Sequence, residues 1–225
     1  LSRSADQGVT RLRRAIQAGT LSPLATDGQR IGPPISRPGK IICIGLNYRN
    51  HAKESNMAIP TEPIIFMKAD TALSGPNDPV VIPKDSKKTD WEVELAFVIG
   101  KPGYRISEKD ASSHIAGYCV CNDVSEREYQ IERSGQWMKG KGLPTFGPVG
   151  PWLVTPDEAG DINNLKMWLK VNGEYVQNGS SKTLIFSTSV LLRSTKSLSK
   201  IKKLSCLSVC WSLSALPQKF SERRS

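Results

Sequence analysis

The stretch Asp90-Trp91-Glu92-Val93-Glu94-Leu95-Ala96-Phe97-Val98-Ile99 limits the fold more than any other part of the chain. Side chains alternate across a strand, so Trp91, Val93, Leu95, Phe97 and Ile99 share one face. Glu92, Glu94, Ala96 and Val98 share the other. Two carboxylates at i and i+2 thus project from one face of an apolar strand. Burying two like charges side by side is costly unless a cation compensates them. A hard divalent ion with oxygen ligands does so. A solvated strand face is the other way to accommodate an E-x-E pair.

Several more short strands are predicted: Ile41–Ile44, Ile64–Met67, Val80–Ile82, Ala116–Val124, and the pair Leu165–Val171 and Glu174–Gln177. The last two flank Asn172-Gly173, a strong hairpin signal. Short helices are expected over 8–18, over Asn47–Asn56, after Ser107 with Asp110 as a cap pair, and over Ser125–Arg133. The fold class is therefore α+β, mainly β, with short helices. Residues 1–38 read as a partial N-terminal segment ending in a proline-rich linker, and 39–186 as the core. From Ser187 the texture changes. The last 39 residues hold 11 Ser and no Gly or Asp. Leu198, Ile201, Leu204 and Leu207 recur every three residues, as in a basic amphipathic helix. The stronger expectation is a frame-shifted or spliced end. Eight basic residues there face one acid, so +7 of the net +10 lies in this tail. The first 186 residues are nearly neutral at +3, which argues against a nucleic-acid surface.

Four constellations carry possible chemistry. The carboxylates of Glu92 and Glu94 are the first. Asp123, closing a strand before a helix, is a third metal ligand or a helix N-cap. Arg127, one turn on, suits a substrate carboxylate or a salt bridge. His51 and Glu54 share a helix face at i and i+3, where a carboxylate orients an imidazole base. Lys139-Gly140-Lys141-Gly142 lets a lysine approach a ligand, with Lys141 facing a developing oxyanion, or is a flexible turn. It lacks the phosphate-loop pattern. His114 has no acid at that spacing and reads as structural. Cys119 and Cys121 share a strand face and read as reduced core cysteines of an intracellular protein.

The order Gly45-Leu46-Asn47-Tyr48 with His51 and Glu54, Asp90-Trp91-Glu92-Val93-Glu94-Leu95, Gly117-Tyr118 into Asn122-Asp123-Val124-Ser125, then Gly140-Lys141-Gly142 with Thr145-Phe146-Gly147-Pro148 resembles the fumarylacetoacetate hydrolase family. The likeness runs from about Ile31 to Phe186. Ser125–Gln130 and the Lys-Gly-Lys-Gly segment look closest to the 2,4-diketo-3-deoxy-sugar-acid hydrolase or ureidoglycolate lyase branch. The resemblance implies a mixed β-sandwich roll, a homodimer, and Mg²⁺ or Mn²⁺ held by Glu92, Glu94 and Asp123. It implies a small 2,4-diketo acid as substrate, with His51 and Glu54 activating water and Lys141 holding the leaving enolate. Arg127 and Gln130 would take the substrate carboxylate. Ureidoglycolate cleavage, or oxaloacetate decarboxylation or tautomerisation, would use the same scaffold.

Family members continue past the position of Phe186 with further strands and a Thr-Gly-Thr-Pro-type loop, which this chain lacks. The core is thus expected to be truncated, with sheet edges uncovered. An inactive product is one alternative. A non-catalytic basic protein that docks through residues 187–225 is another. The chain opens on Leu1, as a fragment would. No apolar run reaches membrane-spanning length. A cytoplasmic location is expected, with an organellar one left open.

Overall fold

A computed structural model describes residues 3–25, 27–195 and 206–209 of the chain. In chain order its strands are β1 (Ile41–Gly45), β2 (Ile64–Lys68), β3 (Leu73–Ser74), β4 (Thr89–Asp90), β5 (Val93–Ile99), β6 (Ile115–Asn122), β7 (Ser125–Glu126), β8 (Gly147–Val154), β9 (Lys166–Val171), β10 (Glu174–Ser180) and β11 (Cys206–Val209). The α-helices are α1 (Arg3–Gln17), α2 (Arg49–Glu54), α3 (Met138–Lys141), α4 (Pro156–Ala159) and α5 (Thr188–Ser194). The fold is mainly β with short helices, as the alternation and turn chemistry imply.

Seven strands form one mixed sheet in the order β2-β1-β11-β5-β6-β8-β3. Strand β5 is buried along its whole length, and each of its faces meets a different cluster. Val93, Leu95, Phe97 and Ile99 pack with Ile42, Ile44, Tyr48 and Met167. Ala96 and Val98 pack with Cys119, Cys121, Val149 and Ile35. This is the two-faced alternation read from the sequence. Strands β9 and β10 form a separate antiparallel ribbon. Asn172 (φ 52°) and Gly173 (φ 88°) supply the two left-handed residues that such a two-residue turn requires.

Two expectations need correction, and one strand lies beyond them. Val80–Ile82 is not a strand; Pro79 and Pro83 bracket it, and Val81 and Ile82 are exposed. Strand β8 was not anticipated. Ser125–Arg133 does not form one helix. Ser125 and Glu126 pair with β4, and a single π-helical turn follows over Glu128–Glu132. Glu126 explains the change. Its buried carboxylate accepts from Thr89 Oγ1 at 3.0 Å, Lys88 N at 3.3 Å and Glu128 N at 3.2 Å, and also from the Ser86 hydroxyl. The backbone there is held in the ladder, so the helix begins later.

The boundary at 187 also moves. Ser187 caps α5 by accepting from Val190 N at 3.3 Å. Leu191 and Leu192 are fully buried in the same cluster as Phe97 and Ile99. Residues 187–195 therefore belong to the core. Cys206–Val209 forms β11 between β1 and β5, parallel to the first and antiparallel to the second. That overturns a helix through Leu207, and no gap separates β1 from β5. Leu198, Ile201 and Leu204 lie outside the described residues. Replacing Leu191 by alanine removes a fully buried side chain and is expected to destabilise the protein by about 2–5 kcal/mol. Urea denaturation measures this; a change under about 0.5 kcal/mol, the range of surface substitutions, would place the residue outside the core.

Candidate metal centre

The entrance of β5 and the exit of β6 are tied by side chains as well as by the ladder. Val93 pairs with Asn122, and Glu94 with Cys121. Asn122 Oδ1 accepts from Glu92 N at 3.0 Å, and Asp123 N donates to Glu92 O at 2.9 Å. Gln177 of β10 accepts from Val93 N at 2.7 Å and so anchors the ribbon beside this point. The three carboxylates Glu92, Glu94 and Asp123 are brought together by this register. Their ligand oxygens lie within 4.8 Å of one another. They are 1%, 0% and 0% exposed.

Three cations surround them. Lys141 Nζ meets Glu92 Oε2 at 2.7 Å and Asp123 Oδ2 at 2.8 Å. Lys68 Nζ meets Asp123 Oδ1 at 2.5 Å. Arg127 Nη2 meets Glu92 Oε1 at 2.6 Å and Asp90 Oδ2 at 2.7 Å. Burial works against the charge of Arg127, but Glu92 and Asp90 outweigh it and hold its pKa above the usual value. Burial raises Asp90, with Arg127 opposing. Gln130 Oε1 accepts from Arg127 Nη1 at 2.9 Å. Arg127 and Gln130 thus sit together beside the carboxylates. The guanidinium, expected to face a substrate, is here engaged with two carboxylates. Lys68 and Asp90 were not singled out in the sequence. Lys141 gets its place from Gly140. A Cβ there would lie 2.3 Å from Glu126 O and 2.6 Å from Gln130 N. The glycine therefore lets α3 press on the π-helical turn rather than on a ligand, and Lys141 is carried inward.

His51 lies on α2 and is 6% exposed. Burial pushes its pKa down to about 4; Glu92 opposes this, while Arg127 and Lys141 add to it. The imidazole thus feels the charges of the centre. Its Nδ1 has no hydrogen-bond partner among the described residues. Glu54 is exposed at the end of α2, so the expected orienting bond to His51 is not made. The base of α2 is clamped. Asn47 Nδ2 donates to Phe186 O at 3.0 Å, and its Oδ1 accepts from Phe186 N at 2.8 Å.

The donor set is all carboxylate oxygen, which suits a hard divalent ion. The nearby thiols do not change that preference. Burial, then Asp123 and Glu94, raise the Cys43 thiol; burial, then Glu94 and Asp123, raise Cys121. Both stay protonated and are poor ligands.

The family description "Fumarylacetoacetate (FAA) hydrolase C-terminal" matches residues 40–208. The chain belongs to the fumarylacetoacetate hydrolase family. The match runs past Phe186 and takes in most of β11. A Burkholderia multivorans protein bearing a provisional hydrolase name is 54% identical over 187 residues, 83% of this chain and 66% of its own length. The chain therefore spans just under two thirds of such curated relatives. Among solved structures, 5-carboxymethyl-2-hydroxymuconate delta-isomerase from Mycobacterium smegmatis is 35% identical. Its TM-score is 0.72, with 80% of this chain and 70% of that one covered. The 2-hydroxyhepta-2,4-diene-1,7-dioate isomerase from Mycobacterium marinum is 33% identical, with a TM-score of 0.71 and coverage of 80% and 66%. No helix among the described residues is long and apolar enough to cross a membrane.

His51 generates a pH dependence. The unfolded chain takes up a proton near pH 6.5, which the folded chain accepts only near 4. Stability therefore falls as pH drops through that window. Between pH 7.5 and pH 5 the expected loss is about 2 kcal/mol from this residue. Denaturation of the wild type and His51→Gln at both values measures it; an equal loss in the two proteins would remove His51 as the source.

Proposed function

We propose that this chain is a divalent-metal-dependent hydrolase or lyase that cleaves a C–C bond in a small 2,4-diketo acid. The observation that carries the reading is the buried cluster of Glu92, Glu94 and Asp123, which would hold Mg²⁺ or Mn²⁺. When bound, the ion would supply Lewis-acid polarisation of the substrate's adjacent oxygens. His51, neutral at pH 7, takes a proton from water as the oxygen attacks a carbonyl carbon. The C–C bond breaks and its electron pair moves onto the second carbonyl oxygen as an enolate. The Lys141 ammonium faces that oxygen, and the enolate then takes a proton at carbon. Products are a carboxylic acid and a ketone. Arg127, supported by Gln130, exchanges a protein carboxylate for that of the substrate. His51 acts without Glu54, which the family resemblance would pair with it but which lies exposed at the end of α2. The family resemblance supports a homodimer as the working form.

A second reading is isomerisation of an unsaturated hydroxy-acid, favoured by the names of the two solved neighbours. It uses the same oxygen array and moves a proton without adding water. Ureidoglycolate cleavage and oxaloacetate decarboxylation or tautomerisation belong to the same scaffold.

Calorimetric titration of Mn²⁺ into the full chain, followed by assay with 2,4-dioxopentanoate, tests the proposal. One-site binding is expected, weakened about 100-fold in Glu94→Gln, as loss of a charged ligand among so few would produce. Pyruvate-type or acetate-type products should appear only with the ion. Equal Mn²⁺ affinity in the wild type and Glu94→Gln would sink the assignment.

A further inference from the structure

Lys68 closes β2, and its side chain is 1% exposed. Its ammonium donates to three backbone carbonyls: Val124 at 3.0 Å, Lys141 at 2.5 Å and Phe146 at 2.8 Å. It also meets Asp123 Oδ1 at 2.5 Å. Four oxygens from three parts of the chain therefore converge on one charge. They come from the segment after β6, the end of α3 and the residue before β8. The two oxygens of Asp123 are divided by this arrangement. Oδ1 faces back to Lys68, and Oδ2 faces Lys141, which also holds Glu92.

We infer that Lys68 is a positioning residue for the centre, fixing from behind both the rotation of the Asp123 carboxylate and the seat of Lys141. The inference rests on reading Glu92, Glu94 and Asp123 as the ion site. Its physical basis is the sign of the groups around the ammonium. Three carbonyl oxygens and a carboxylate oxygen repel one another when nothing positive lies among them. Without the ammonium, Asp123 turns away from the carbonyls and its second oxygen leaves the cluster. The carbonyl of Lys141 loses its tether at the same time. A hydrogen bond to a ligating carboxylate from behind is a usual way of orienting a ligand, and losing one lowers metal affinity by about 10–100-fold.

The nest has a further property. Three carbonyls and a carboxylate suit a small monovalent donor cation, so removing the lysine stem leaves a hole that ammonium fits. This separates positioning from simple charge competition. A charge that merely competed with a divalent ion would weaken Mn²⁺ binding when restored. A charge that orients Asp123 strengthens it.

The test is Mn²⁺ calorimetry on the full chain, wild type, Lys68→Ala and Lys68→Met, in ammonium chloride or in sodium chloride of equal ionic strength. Both variants are expected to bind Mn²⁺ at least about tenfold more weakly than wild type in sodium. Ammonium should restore Lys68→Ala toward wild type and leave Lys68→Met weak, because the methionine stem fills the hole. Variants that bind as tightly as wild type, or more tightly, would overturn the inference, as would a loss in Lys68→Ala that ammonium leaves unchanged. If Lys68→Ala loses its cooperative unfolding transition, its return in ammonium but not sodium supports the inference, and failure to return counts against it. A wild type that binds no Mn²⁺ overturns the ion-site reading, and this inference with it; a wild type that binds while the variants match it overturns this inference alone.

Discussion

Three carboxylates packed together out of water are the constraint on which the rest of the site depends. Each buried charge costs several kcal/mol of lost solvation unless something positive stands close. Glu94 is held in the ladder between β5 and β6, and the Asp123 N–H bond to Glu92 O ties the other two backbones together just beyond it, so the three carboxylates stay close. The surrounding chain answers with Lys141, Lys68 and Arg127, drawn from three separate segments. Lys141 bridges two of the carboxylates, standing between oxygens that an ion would otherwise join. The ammonium and the proposed divalent ion would be alternative ways of satisfying the same oxygens.

The fold supplies the positions through close backbone approaches rather than long side-chain reach. The Asn122 side chain and the Asp123 N–H both bond the Glu92 backbone, so the ends of two strands act as one platform. The π-helical turn after β7 presents Arg127 and Gln130, and Gly140 lets α3 lie against it. Turns of this kind recur at functional sites, where one wide turn re-aims a side chain. Strand β11 lies in the sheet between β1 and β5, and helix α5 packs Leu191 and Leu192 into the cluster that those two strands share. The half of the sheet that carries the three carboxylates is therefore supported by sequence whose composition looks foreign to the core.

Much of the site was legible because it depends on local period. Alternation alone placed Glu92 and Glu94 on one face, and the strand end placed Asp123. Lys68 was not legible. It lies 55 residues from Asp123 in the chain, and its partners are mostly backbone carbonyls, which leave no side-chain signature. Asp90 was hidden for a similar reason, since its pairing with Arg127 needs β4 and β7 to be adjacent. Glu54 was read from helical spacing, yet the helix turns it to solvent while His51 faces inward. Spacing sets the angle between two side chains on a helix and does not say which way the helix faces. At the C-terminal end, composition misled. Leu191 and Leu192 sit in a Ser-rich stretch and are still fully buried, because two adjacent leucines suffice to fill the space over β5.

The central proposal is that Glu92, Glu94 and Asp123 would together hold one divalent cation in place of the Lys141 bridge. Crystals grown with saturating Mn²⁺, with anomalous data collected at the manganese edge, test it most directly. The account expects a single strong anomalous peak within ligand distance of Glu92, Glu94 and Asp123, with the Lys141 ammonium no longer bridging Glu92 and Asp123. No peak there, with that bridge intact, would contradict it.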